Sequence, residues 1–78
     1  MAEYLGTSKK INKISVNTLY QPTVGRSGKM ITSEREVIIT SPVENIMMVN
    51  HYMNGRSFAM FDTKNSRYMV ECVNYISE

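Results

Sequence analysis

Asn54-Gly55 stands between two stretches rich in apolar and β-forming residues, and it limits the fold more sharply than any other dipeptide in the chain. A two-residue type I′ turn needs positive φ at both central residues, and Asn-Gly meets that need with little strain. Folding residues 46–53 onto 56–62 about this turn sets His51 opposite Phe58 and Val49 opposite Met60. A second tight turn at Lys64-Asn65 brings a further strand, residues 67 to about 76, alongside. It places Asp62 opposite Arg67 and Phe61 opposite Tyr68. Opposite charges and aromatic rings in one register are pairs that stabilise neighbouring strands. Both faces of this meander carry apolar side chains, among them Tyr68, Val70, Val73, Tyr75 and Ile76. That suits a small curled sheet or barrel better than a flat, one-sided sheet.

Towards the N-terminus the pattern is plainer. Residues 1–10 lack apolar periodicity and read as a loose arm. From Lys13 onward, Ile14, Val16, Thr18 and Tyr20 alternate with Lys13, Ser15 and Asn17, the signature of a half-buried strand. Gln21-Pro22 ends it, because proline has no amide to donate to a ladder. Residues 23–29 read as a polar loop punctuated by Gly25 and Gly28, and Val37, Ile38 and Ile39 mark a second strand over 36–40. Residues 42–53 admit a rival reading as a helix. Ser41-Pro42-Val43-Glu44 forms a capping box with proline at the first helical position, which would give a ββαββ arrangement. Against the helix, Asn50 would share the apolar face of Val43, Ile46, Met47 and Met53, and residues 49–52 are indifferent helix formers. The favoured expectation is an all-β single domain over 1–78, an antiparallel meander or curled barrel of SH3-like form.

Chemistry is limited by scarcity. A chain of 78 residues buries only about 60% of the surface it exposes when unfolded. Cys72 is the only cysteine, so no internal disulfide can form, and a cytoplasmic setting is expected. One cysteine and one histidine, His51, do not make a structural zinc site, and no cofactor is expected. No apolar run approaches the roughly 18 residues a spanning helix needs, and the polar start, Met1-Ala2-Glu3-Tyr4, lacks the apolar core of a signal peptide. No membrane contact is expected. Gly25-Arg26-Ser27-Gly28-Lys29 resembles part of a phosphate-binding loop, but Thr23 and Met30 occupy the positions where that pattern needs glycine and a hydroxyl. The expected register puts His51 and Cys72 on opposite sheet faces, which removes them as a base and thiol pair. Glu34 and Glu36 read as a charged strand edge. An enzyme is not expected.

The net charge of +2 divides unevenly. Residues 1–33 carry Lys9, Lys10, Lys13, Arg26 and Lys29 against Glu3, a balance of +4, whereas residues 34–78 balance at −2. If those five cations share a face, they form a patch for an anionic partner. The seven methionines have two readings, since methionine fills irregular cores and also builds adaptable binding surfaces. Exposure of Met48 and Tyr52 would favour the second reading. Residues with A/T-rich codons (Met, Asn, Ile, Tyr, Lys, Phe) outnumber Gly, Ala, Arg and Pro, as in many phage genomes. The expected function is therefore a small non-enzymatic binding module, a protein-interaction modulator of the kind phages encode to act on a host enzyme or complex. Nucleic-acid binding through the five cations, with Tyr4 or Tyr20 stacking on bases, is the alternative. Homo-oligomer formation is a third reading.

Overall fold

The computed structural model describes residues 9–77. They form six strands and no helix: β1 (Lys10–Tyr20), β2 (Ser27–Ile31), β3 (Val37–Pro42), β4 (Asn45–His51), β5 (Ser57–Asp62) and β6 (Ser66–Ile76). All six join one mixed sheet in the order β3-β2-β1-β6-β5-β4. The chain is thus two three-stranded antiparallel meanders, joined at the middle of the sheet by β1 and β6. That central pairing is parallel and runs from Lys10↔Ser66 to Tyr20↔Ile76, so the sheet is not the purely antiparallel one expected.

Two residues, Val43 and Glu44, carry the chain from β3 at one rim to β4 at the other. So short a link obliges the sheet to fold over on itself. At the junction Gly25 N–H donates to Val43 O (2.8 Å), Val43 N–H to Arg26 O (2.8 Å) and Glu44 N–H to Asp62 O (2.8 Å). These bonds tie the start of β2 to the end of β5. The buried core lies inside the fold, where β1 and β6 contribute Val16, Leu19, Val70 and Cys72 around Met30, Val43, Ala59 and Phe61.

The same bonds explain why the rival helix over 42–53 does not form. A helix start leaves such amides to water or to a capping side chain, whereas here Val43 and Glu44 donate to the carbonyls of Arg26 and Asp62, and β4 pairs with β5 along its length. Pro42 closes β3 instead of opening a helix. The loop expected over 23–29 is also shorter than its glycines implied, because β2 begins at Ser27 and includes Gly28 and Lys29. Gly28 is buried beneath Thr40 and Phe61, and the role of this glycine is close approach.

The β5–β6 register is the expected one, with Asp62 opposite Arg67 and Phe61 opposite Tyr68. The β4–β5 register differs by one residue: His51 faces Ser57 and Val49 faces Ala59. The turn is the cause. Tyr52 N–H donates to Arg56 O (2.8 Å), Gly55 N–H donates to Tyr52 O (3.1 Å), and Gly55 has φ of 88°. Asn54 is not among the described residues with positive φ, and its Oδ1 accepts the Arg56 N–H (3.0 Å). This is a three-residue loop with one left-handed glycine, where the sequence reading assumed a two-residue turn with two left-handed positions. A slip of one residue exchanges the faces of a whole strand.

At the opposite end of the fold, the Lys9 ammonium donates to Thr63 O (2.6 Å) and Lys64 O (3.1 Å), and Lys10 N–H donates to Asn65 O (3.0 Å). The chain is therefore anchored from Lys9 onward. The rest of the expected arm, residues 1–8 with Tyr4, lies outside the described residues.

Candidate protein-binding face

In β5 the inward positions are Ser57, Ala59 and Phe61, which leaves Phe58 and Met60 on the solvent side. Register then builds the surface row by row. Met48, Met60, Met69 and Lys13 form one cross-strand row over β4, β5, β6 and β1. Asn50, Phe58, Glu71 and Ser15 form the next. Phe58, Met60 and Met69 are half-buried, yet none belongs to the group of partly buried residues packed on the core.

Two ion pairs frame this apolar centre. Arg56 Nε donates to Glu71 Oε2 at 3.0 Å, and Arg67 grips Asp62 with two bonds, Nε to Oδ1 at 2.8 Å and Nη2 to Oδ2 at 3.2 Å. The Asp62 hydrogen bond holds the Arg67 guanidinium above its ordinary value. Beside Glu71 lies a depression of about 330 Å³ lined by Lys13, Ile14, Ser15, Phe58, Met69 and Glu71. An apolar centre within a polar rim is the usual anatomy of a protein interface.

Met48 is 39% exposed and belongs to this face, and Tyr52, 49% exposed, sits where β4 enters its turn. The five cations are not gathered in one place. Lys10 begins β1, whereas Lys29 lies at its far end, with its ammonium 5.0 Å above the Tyr20 ring. Eleven extended residues separate those ends by about 33 Å. Arg26 shares a second depression with Tyr20 and Lys29. Lys13 projects from the middle of the strand onto the methionine face.

The shifted register also revises the placement of His51 and Cys72. They lie in one cross-strand row, with Ser57 between them, and not on opposite faces. His51 Nδ1 is 2.8 Å from Ser57 Oγ, and its ring meets Tyr75 edge-on at 4.9 Å. Cys72 is fully buried, and burial pushes its thiol up, which disfavours the thiolate a nucleophile requires.

The methionine row was hidden from the sequence by the same one-residue slip, because Val49 was set opposite Met60 where Met48 belongs. The available signal was the alternation Phe58-Ala59-Met60-Phe61, in which the small Ala59 marks the crowded inner side. No protein-family model, curated protein or solved structure matches this chain.

Proposed function

We propose that this chain is a small, non-enzymatic protein-binding module, a curled SH3-like sheet that docks a partner on its methionine-rich outer face. The observation that carries the reading is the row Met48, Met60 and Met69 with Phe58 beside it, placed on the solvent side and uninvolved in the core. The outer face of a small antiparallel sheet is ordinarily polar. Three neighbouring strands that each place a thioether there build a deformable apolar surface, suited to a partner that must be fitted closely. The basic-patch reading has less support, since its cations are spread along the length of β1.

The test compares capture of a partner by the wild-type chain and by Met60→Lys, Met69→Lys and Ile39→Lys. All three sites are at least partly exposed, so the fold should persist in each variant. Loss of the partner with the two methionine variants, and its retention with Ile39→Lys, is the expected result. Equal capture by all four proteins would refute the assignment.

A further inference from the structure

The first strand has an unoccupied side. β2 pairs with β1 only at Thr18↔Ile31 and Leu19↔Met30, and β2 ends at Ile31, after which Thr32 opens a turn closed by its bond to Glu36 O. From Lys10 to Val16, β1 is bonded to β6 on one side, and no other described strand runs along the opposite side. Seven residues of extended backbone there span about 20 Å. Alternate residues along them point their N–H and C=O groups towards the gap. Where β2 ends, a cavity of about 500 Å³ opens beside Asn17, Thr18, Ile31, Thr32 and Arg35, with room for the end of an incoming strand.

The sheet has other free edges, and they differ in kind. β4 contains a bulge between Ile46 and Met48 and bears no lysine, arginine or carboxylate. β3 is uncharged from Val37 to Pro42, and its pairing with β2 is irregular beyond Ile39. The free side of β1 carries fixed positive charge, from Lys10 and Lys13, both exposed, with no carboxylate between residues 9 and 17. Lys9 adds nothing to this edge because its ammonium is held by the Thr63 and Lys64 carbonyls. Exposed lysines on an edge oppose pairing with a second copy of the same edge. They favour a strand of opposite charge.

We propose that the free side of β1, from Lys10 to Val16, is a strand-addition site for an extended acidic segment of a protein partner. Backbone hydrogen bonds provide the attachment, and charge selects the occupant. Lys10 and Lys13 are three residues apart and so lie on opposite faces of the strand. The matching segment therefore carries two carboxylates three residues apart, one for each face. Ile11, 45% exposed, shares a face with Lys13 and calls for an aliphatic neighbour on the added strand.

The probe is a fluorescein-labelled peptide with the repeat Glu-Val-Thr-Glu, compared with a control in which lysine replaces both glutamates. Anisotropy at low salt should show the acidic peptide binding about tenfold more tightly than the control. Amide exchange should slow at alternate residues within 10–16. The double variant Lys10→Glu/Lys13→Glu changes only exposed side chains and should reverse the preference. The proposal is overturned if the two peptides bind alike or neither binds, or if protection appears on β3 instead. It is also overturned if a single-stranded oligonucleotide protects residues 10–16 and the acidic peptide does not. Met60→Lys should leave peptide binding unchanged, so this site and the methionine face can fail separately.

Discussion

Placing a methyl group on residue 28 tests how β2 lies across β5. A Cβ at Gly28 would come 2.9 Å from Thr40 Oγ1 and 3.3 Å from two ring carbons of Phe61. Those neighbours have little freedom to yield. Phe61 is fully buried and stacked on Tyr68 at 5.4 Å, while Thr40 Oγ1 accepts the Gly28 N–H at 2.8 Å and donates to Ser41 O at 2.6 Å. Gly28 has no positive φ, so the penalty of Gly28→Ala is steric. Overpacking of this kind costs about 1–3 kcal/mol, and stretching the buried hydrogen bond adds about 1 kcal/mol. The total, about 2–4 kcal/mol, is a large part of the stability expected for a chain of this size, about 4–12 kcal/mol.

Thr40→Ala supplies the control. Alone it leaves the buried Gly28 amide without its acceptor and costs about 1–3 kcal/mol. It also clears the closest contact, so Gly28→Ala should cost about 1 kcal/mol less, or better, in that background than in the wild type. Urea unfolding followed by circular dichroism on the four proteins reads this coupling directly. If Gly28→Ala stays within about 0.5 kcal/mol of wild type, or costs the same in both backgrounds, the close approach of β2 to Phe61 is wrong.

Two further outcomes follow from the interior and from the turn. Burial raises both the Cys72 thiol and the Tyr75 phenol above their ordinary values. The folded chain therefore keeps protons that the unfolded chain releases, so stability should fall as pH rises past about 8.5, the ordinary thiol value. Urea midpoints measured between neutral and alkaline pH check this; Cys72→Val should delay the decline to the range where tyrosine ionises, and a flat profile would contradict the buried placement. At Gly55, where φ is 88°, alanine should destabilise by about 1 kcal/mol because its Cβ opposes the left-handed backbone; a neutral Gly55→Ala in the same unfolding assay would argue for a different turn.

The β5–β6 hairpin was legible because two pairs, Asp62 with Arg67 and Phe61 with Tyr68, select the same register independently. Nothing comparable pinned β4 to β5, where the register rested on the turn alone, and a three-residue loop containing Asn54-Gly55 has the same dipeptide signature as a two-residue one. The parallel pairing of β1 with β6 left no local mark, since no turn connects the two strands. β2 escaped because a five-residue strand containing glycine resembles punctuation until the ring of Phe61 lies above it. For the proposed docking face, the sequence marked exposure of Met48 and Tyr52 as the condition, but the row that gives Met48 its neighbours depends on register. The charge asymmetry was visible in the sequence, and its spread along β1 required the strand to be seen at full length.

The parallel centre also governs the order in which this chain can fold. Lys10 pairs with Ser66 and Tyr20 with Ile76, so every rung of the central ladder joins residues far apart in sequence. Such contacts carry a high loop-closure entropy and slow the search for the native state. During synthesis β1 emerges before the other five described strands and β6 after them, so Val16 and Leu19 stay uncovered on that side until β6 arrives. Each meander can form early as a local unit, but neither encloses a core by itself. The interval between the two strands is when this protein is most exposed to aggregation.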